Sequence, residues 1–309
     1  MSRKTTIALL VAALGLFTFI WFVERDMLSS GEVAQREQRL LPRLVRARVT
    51  DISIERGEEK ITLHRAEAAS AEEEAKWALV DPVRSPADSN SVATLLGALE
   101  WAEPSQRLND ISADDRRLFG LDSPRLRASF KVGSETQTLI FGGEDPTGAG
   151  YYAALEDSGR AFVVGRDVFE AFDHDASHFR SKQLFGDELP NPARLTVSGP
   201  AGSFSVSKEA RGYSLTAPVA MRALDTRVDA VVDALREVKA TRFLPVGTEA
   251  SDLETPFLKA ELEVDGSERV LRVGAPCAGH QGERIARLDD GPVVCVAEAT
   301  LAPLLIEPL

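Results

Sequence analysis

The feature that most constrains this chain is an internal duplication. Residues 77–108 align without a gap to residues 213–244. The shared positions are apolar or turn-forming and include the pairs Leu79/Leu215, Pro82/Pro218, Val83/Val219, Ala87/Ala223, Val92/Val228, Ala98/Ala234, Leu99/Leu235 and Leu108/Leu244. A repeat of this length predicts two modules of similar fold.

The register of the duplication resumes further along the chain. Residues 121–124 match residues 253–256, and residues 139–142 match residues 271–274. What recurs is apolar and turn-forming, and no reactive side chain recurs with it. The duplication therefore favours a scaffold or binding architecture over an enzyme.

Composition limits the classes of partner. The length of 309 residues suggests about two domains, and an apolar share of 44% is enough for a sizeable core. The formal net charge of −12 argues against nucleic acid as a partner, because that affinity comes from neutralising phosphates. It argues equally against an electrostatic grip on anionic lipid.

Residues 7–23 form an apolar segment of 17 residues without a charge. As a helix the segment spans about 26 Å, close to the hydrocarbon thickness of a bilayer. Trp21 and Phe22 stand at one end, where aromatic rings favour the membrane interface. A cleaved signal peptide is the alternative, but it needs a shorter apolar run and a small-residue cleavage site. We expect an uncleaved single-pass anchor over residues 1–28.

The charges beside this segment indicate its orientation. Arg3, Lys4 and the terminal amine favour a cytoplasmic N-terminus. The asymmetry is weakened by arginines on the other side, namely Arg25, Arg36, Arg39 and Arg43. Long domains translocate largely regardless of such charges. We expect an inner-membrane protein whose C-terminal domain lies in the periplasm.

The rest of the chain divides into four segments in this interpretation. A polar stalk covers residues 29–46, the first repeat module residues 47–172, a bridge residues 173–190 and the second module residues 191–309. Each module shows the pattern of a hairpin, a third strand, a helix and a meander of short strands. We therefore predict an α+β fold of two tandem repeats, each a mainly antiparallel sheet with one packed amphipathic helix.

The helices carry the clearest pattern. Ser89 and Asp225 stand where an N-cap residue would lie. Apolar residues then recur at the spacing of one helix face, as Val92, Leu95, Leu96 and Leu99 in the first module and Val228, Val231, Val232, Leu235 and Val238 in the second. These stripes predict core positions and imply no function of their own.

The two cysteines, Cys277 and Cys295, both lie in the second module. An even, low count in an exported chain is consistent with one disulfide. The alternative is a pair of buried small apolar residues.

Glycine-rich loops occur at the same place in both modules, at residues 142–150 and 274–282. A phosphate-binding loop would join a strand to a helix and, in its Walker form, carry a lysine. Here a strand follows, so we interpret both segments as long hairpin loops. Loops on rigid sheets often carry binding, which makes candidates of Gly142, Gly143, Glu144, Asp145, Gly274 and His280.

Other chemistry is poorly supplied. His174 and His178 stand four apart, as metal ligands on a helix can, but no third ligand has a recognisable spacing. We therefore expect a solvated linker there, and no metal or cofactor. No serine or cysteine nucleophile signature is present in the sequence, so no catalytic residue is predicted. A hydrolase with paired carboxylates stays open as an alternative, since acidic residues are abundant.

Several segments of the chain resemble a known family. They carry the pattern W-x-L-x-x-P, P-A-D, F-G-L-D-x-P and I-F-G at residues 77–82, 86–88, 119–124 and 140–142. This pattern resembles the family catalogued as domain of unknown function 4340. The resemblance implies membrane-anchored exported proteins, often encoded beside ABC-2-type transporter subunits and gliding-motility auxiliary proteins.

The second module fits that family pattern more loosely. It lacks the Phe-Gly pair and replaces P-A-D with Arg222-Ala223-Leu224. No functional residue can be transferred from the family to this chain.

Three hypotheses of function follow. The first is a membrane-anchored, periplasm-facing accessory or scaffold protein whose partner is a transporter permease or an auxiliary subunit of a motility-related envelope complex. The second is an envelope module that binds a small molecule or a polymer. The third, less favoured, is an envelope hydrolase.

Overall fold

The computed structural model of the chain describes residues 37–42, 44–66, 75–156, 158–186, 189–248 and 250–305. These residues cluster into two compact units. One holds the residues up to Arg84 together with Ser89–Ala176, and the other holds Ser85–Asp88 and the residues from Ser177 onward. Within the described part of the chain, no helix has the length and apolar character needed to cross a bilayer. The predicted anchor over residues 1–28 lies outside the described residues.

The first module forms an antiparallel sheet of nine strands. The strands are β1 (Val49–Arg56), β2 (Glu59–Arg65), β3 (Trp77–Asp81), β4 (Ser85–Pro86), β5 (Gln106–Leu108), β6 (Leu126–Val132), β7 (Glu135–Glu144), β8 (Gly150–Leu155) and β9 (Ala161–Gly165). Their order across the sheet is β4-β3-β2-β1-β6-β7-β8-β9-β5. Strands that follow one another along the chain are neighbours in the sheet, except where the connections through α-helices carry the chain to another strand position.

The second module repeats this arrangement strand for strand. Its strands are β10 (Arg194–Gly199), β11 (Gly202–Glu209), β12 (Gly212–Ala217), β13 (Met221–Arg222), β14 (Ala240–Phe243), β15 (Leu258–Val264), β16 (Ser267–Pro276), β17 (Glu283–Leu288) and β18 (Val294–Ala297). Their order is β13-β12-β11-β10-β15-β16-β17-β18-β14. The prediction of two mainly antiparallel repeats in an α+β fold is therefore confirmed.

The described part of the chain holds six α-helices, which are α1 (Ser89–Glu100), α2 (Ala113–Leu118), α3 (Arg166–Glu170), α4 (Ala176–Phe179), α5 (Asp225–Arg236) and α6 (Glu298–Leu301). Helices α1 and α5 are equivalent and have 12 residues each. Each buries its predicted apolar stripe, because residues spaced three and four apart share one face of a helix. The last predicted residue of the second stripe, Val238, is buried but lies beyond the end of α5.

The N-cap predictions were wrong, because both helices begin at the residue predicted to cap them. Asp225 is the first residue of α5, and the N-cap is Leu224, whose side chain forms no capping hydrogen bond. The Asp225 carboxylate instead accepts a hydrogen bond from the backbone N–H of Tyr213 at 2.8 Å. This bond ties the start of α5 to strand β12.

The two cores differ in chemistry. The first module buries a cluster of rings in which Phe130 packs on Phe172 at 5.8 Å, and Phe141 packs on Phe169 and Phe172 at 5.6 Å each. The corresponding positions of the second module are aliphatic and equally buried, namely Leu262, Val273, Leu301 and Leu304. The same backbone therefore encloses either rings or branched aliphatic chains.

The predicted stalk is described from residue 37, and part of it packs against the first module. Leu40, Leu41 and Leu44 are buried. The backbone N–H of Leu40 donates to the carbonyl of Ala102, just beyond helix α1, at 2.7 Å. The guanidinium of Arg107 also donates to backbone carbonyls of this segment. The segment is thus fixed to one end of the first module.

Candidate functional site

The glycines of the first loop let the backbone at residues 142–143 pack directly against the backbone at residues 119–120. Gly142 lies so close to the preceding loop that a Cβ atom there would stand 2.1 Å from the carbonyl oxygen of Phe119. That same oxygen accepts a hydrogen bond from the N–H of Gly143 at 2.8 Å. Gly120 has φ +72°, a left-handed conformation that favours glycine. The F-G motif and the I-F-G motif therefore touch through their backbones. This contact of Phe119 and Gly120 with Gly142 and Gly143 is called the glycine interlock below.

Asp145 organises the loop that follows. Its carboxylate accepts hydrogen bonds from the N–H of Thr147 at 2.8 Å, the Thr147 hydroxyl at 2.6 Å and the N–H of Gly150 at 2.8 Å. These bonds, the one from the Thr147 side chain first, hold the pKa of the Asp145 carboxyl below its ordinary range. Asp145 is 8% exposed, so its oxygens serve the loop itself.

Glu144 is also engaged within the first module. Its carboxylate forms an ion pair with Arg166, whose guanidinium also donates to the carbonyl of Gly148 at 3.1 Å. The loop thus brings together four predicted candidates, Gly142, Gly143, Glu144 and Asp145. Their contacts hold the hairpin in shape.

The second loop has the same turn hydrogen bond, but a disulfide bond holds its shape in place of a carboxylate. The N–H of His280 donates to the carbonyl of Cys277 at 3.1 Å, as the N–H of Gly148 donates to the carbonyl of Asp145 at 2.9 Å. Cys277 occupies the position of Asp145 and is joined to Cys295 by a disulfide of 2.07 Å. The His280 side chain is exposed at the tip of this loop.

Gly274 begins the second loop in the position of Gly142. A Cβ atom there would stand 3.2 Å from side-chain atoms of Asp252 and Leu253 and 3.3 Å from the backbone carbonyl carbon of Asp252, a tight contact but a longer one than at Gly142. Its carbonyl accepts a hydrogen bond from Arg284 at 3.1 Å. The backbone interlock of the first module is therefore looser in the second.

A further surface lies at strand β13, the outermost strand of the second sheet. Val219, Met221 and Leu224 expose apolar side chains there. The loop predictions missed this surface, although the replacement of P-A-D by residues 222–224 marks it in the sequence. A local pattern does not show which strand lies at the edge of a sheet, because strand order depends on distant pairings.

One comparison with known proteins identifies the family. The profile described as "Domain of unknown function (DUF4340)" matches residues 77–260, more than half of the chain. The chain belongs to the DUF4340 family. No curated protein and no solved structure shows significant similarity to the chain.

The DUF4340 match runs from strand β3 of the first module to strand β15 of the second. It therefore includes the interlock of Gly142 with Phe119, which gives the family motif a structural meaning. The residues of the motif keep two loops at backbone contact distance. The resemblance recognised from those segments is confirmed.

One group in the described part of this DUF4340 chain places three metal-ligand atoms within 4.8 Å, and it consists of Cys277, Glu283 and Cys295. Its two sulfur atoms are joined in the disulfide, and the Glu283 carboxylate lies 3.3 Å from Arg242. His174 and His178 belong to no such group among the described residues. These three residues are therefore engaged in a disulfide bond and an ion pair in this structure.

A cavity of about 360 Å³ lies on the second sheet of this DUF4340 protein. Its lining includes Arg194, Thr196, Glu261, Glu263 and Glu268. Arg194 and Glu263 approach each other to 4.0 Å across strands β10 and β15. The lining is thus acidic, and its charge is partly compensated by Arg194 and by Lys259, whose ammonium group lies 2.5 Å from the carboxylate of Glu261.

Proposed function

We propose that this DUF4340 protein is a membrane-anchored, periplasm-facing scaffold that docks a partner protein of an ABC-type transporter or a motility-related envelope complex. The observation that carries the proposal is the repeated nine-stranded sheet, whose matched residues pack and fasten the fold. Duplicated sheets offer rigid edges and loops for recognition, because edge strands present unpaired backbone groups.

The use of the candidate loop side chains supports a scaffold role. Asp145 bonds to its own loop, Glu144 pairs with Arg166, and Cys277 is held in a disulfide. Polar groups committed to such contacts stabilise a loop in one shape. A loop of fixed shape suits docking, which loses less entropy when the binding surface is preorganised.

Two features support the proposed location. The apolar segment of residues 7–23 is long enough for a bilayer span, and the chain entering from it would be held by the buried residues Leu40 and Leu44. The disulfide between Cys277 and Cys295 fits an oxidising compartment such as the periplasm.

Membrane topology gives the first test. We expect a phosphatase reporter fused after Leu309 to be active in intact cells, and a cytoplasmic reporter at the same place to be silent. Deleting residues 1–28 without adding a signal peptide should reverse this pattern and release the chain from the membrane. An active cytoplasmic reporter on the full chain would refute the proposed location.

Partner association gives the second test. The full chain, extracted in mild detergent, should co-purify with a polytopic membrane protein in a fixed ratio that survives gel filtration. As a control, the chain carrying Val246→Lys should co-purify with the same membrane protein in the same ratio, because this exposed side chain lies away from β13. Failure to recover any membrane protein, together with turnover of an envelope substrate by the purified chain, would favour the hydrolase instead.

The acidic cavity favours a second candidate, the binding of a cationic small molecule or a polymer bearing amines. Glu261, Glu263 and Glu268 place three carboxylates on its lining. Calorimetry with spermidine as the probe would test this alternative. Binding lost on Glu261→Gln with Glu268→Gln would support it, and the absence of measurable heat would remove it.

A further inference from the structure

Three of the large exposed apolar side chains lie within six positions of one another, at strand β13. Val219 is 63% exposed, Met221 55% and Leu224 64%. Single exposed apolar residues are common, but a group of them on an edge strand marks a place where another chain can pair.

The equivalent segment of the first module shows what such an edge binds. The N–H of Asp88 donates to the carbonyl of Phe179 at 2.8 Å, and the N–H of Ser181 donates to the carbonyl of Pro86 at 2.9 Å. Between these bonds, Ala87 and Arg180 form an antiparallel bridge. Residues 86–88 are therefore paired with residues 179–181, where helix α4 ends at the fully buried Phe179 and the chain becomes extended.

In the part of the chain that the structure describes, the equivalent edge of the second module has no such cover. Residues 222–224 align with residues 86–88, and β13 holds the same outermost place as β4. The N–H of Ala223 is used within the sheet, where it donates to the carbonyl of Tyr213 at 3.0 Å. For the N–H of Leu224, the equivalent of Asp88, the described residues supply no acceptor.

The side chains differ in a way that fits an exposed docking edge. Ser85 and Asp88 are replaced by Met221 and Leu224, and Pro86 is replaced by Arg222, so the edge gains two apolar side chains and one positive charge. Apolar side chains left in water are stabilised when a partner covers them. Val219 extends the apolar strip beyond the strand.

We propose that the β13 edge docks an extended, aromatic-containing peptide segment of a protein partner as an added antiparallel strand. This inference rests on the proposed function, of which it specifies the contact. Backbone hydrogen bonds to residues 222–224 would supply affinity, and the aromatic side chain would cover Met221 and Leu224.

A peptide with the sequence of residues 176–184, ASHFRSKQL, is the first probe, because its central residues cover the equivalent edge. Fluorescence anisotropy would follow its binding to the full chain in nanodiscs. Met221→Lys with Leu224→Lys should weaken binding at least about tenfold, since charges on an edge strand oppose pairing. Val246→Lys changes a side chain that is 95% exposed elsewhere and should leave binding unchanged.

Changes to the peptide test the strand geometry without altering the protein. Methylating the backbone nitrogen of the peptide serine, which corresponds to the donor Ser181, should abolish binding. Methylating the nitrogen of the preceding arginine should be tolerated, because adjacent N–H groups of a strand point to opposite edges. Replacing the phenylalanine with alanine should weaken binding about tenfold, because an apolar contact is lost.

The outcomes separate this inference from the proposed function. Absence of peptide binding, or unchanged binding by the double lysine variant, would overturn the inference. So would a dimeric chain that the variant converts to monomers, because β13 would then pair with a second copy. If the variant loses both the peptide and the co-purifying membrane protein, the inference is supported. If it retains the membrane protein, the inference fails while the proposed function stands.

Discussion

The two hairpin loops hold one backbone shape by different chemistry. In the first module, the Asp145 carboxylate gathers N–H and hydroxyl groups of its own loop. In the second, Cys277 takes the same position and is bonded to Cys295. The turn hydrogen bond is retained in both, from Gly148 and from His280. The two loops therefore share one backbone arrangement, which hydrogen bonds to a carboxylate stabilise in the first module and a disulfide bond stabilises in the second.

Pairs of charges show the same relation between the modules. Asp51 lies 3.9 Å from Lys131, and in the second module Arg194 lies 4.0 Å from Glu263 at the equivalent places. The pair is kept while the signs are reversed. Exposed ion pairs contribute about 0–1 kcal/mol, so either polarity serves the fold equally well.

A cation over a ring is exchanged in the same manner. Arg125 stands over the ring of Tyr151 at 6.0 Å. At the equivalent positions Phe257 supplies the ring, and the guanidinium of Arg284 lies over it at 3.8 Å. Both modules therefore keep a guanidinium opposite an aromatic ring at this pair of positions, although the two residues have exchanged places.

The largest expected effect would come from the contrast between the two cores. Phe130→Ala should lower the free energy of unfolding by about 3–5 kcal/mol, because Phe130 is fully buried. Leu262→Ala at the equivalent place should cost about 1 kcal/mol less, since the ring contact with Phe172 adds stability beyond burial. Urea unfolding of the full chain in detergent would compare them. Equal losses would show that the rings add nothing specific.

Removing the disulfide should have the next largest effect and should be confined to the second module. Cys277 and Cys295 are separated by 18 positions, a loop whose closure contributes about 3 kcal/mol. Hydrogen exchange of Cys277→Ser with Cys295→Ser should therefore show faster exchange in β16–β18 and unchanged exchange in β7–β9. Equal acceleration in both modules would contradict the separation of the two units.

The glycine interlock gives a prediction with neighbouring controls. Gly142→Ala should cost about 2–3 kcal/mol, because the added Cβ meets a backbone oxygen that cannot move alone. Gly143→Ala places its Cβ 3.6 Å from the same oxygen and should cost less than about 1 kcal/mol. Gly274→Ala should fall between them. Thermal unfolding would rank the three variants. If Gly142→Ala leaves the stability unchanged, the close backbone contact at Gly142 does not exist as described.

The smallest effect concerns pH. The pKa of Asp145 is lowered from its ordinary value of 3.8, so its contribution to stability is complete above that value. It is lost as the pH falls through the lowered folded-state pKa. Wild type and Asp145→Asn should therefore differ near neutral pH and converge in acid. NMR of the Gly150 amide would follow the change. A constant difference down to pH 2 would contradict the role of the carboxylate.

Sequence patterns predicted the elements whose burial has a regular period. A hairpin, a third strand, a helix and a meander of short strands were predicted for each module, and the structure shows them in that order. The stripes of α1 and α5 were predicted because apolar spacing reports which face is buried. Two-residue strands such as β4 and β13 are too short to show a period, and only sheet order reveals them.

The candidate site was predicted only in part. The loops were located from their glycines, but the bonds of Asp145 depend on folded geometry that spacing does not contain. Leu40, Leu41 and Leu44 were assigned to a polar stalk because the charged residues around them dominate the local composition. Their burial follows from contact with the first module, which is distant in sequence.

Amide hydrogen exchange of the unbound full chain tests the central claim most directly, namely that one fold occurs twice and differs in the cover of its edge strand. The Asp88 amide, which donates to Phe179, should exchange slowly. The Leu224 amide should exchange at a rate close to that of an unprotected peptide. Equal, strong protection of both amides would show that the β13 edge is already covered and would contradict the account.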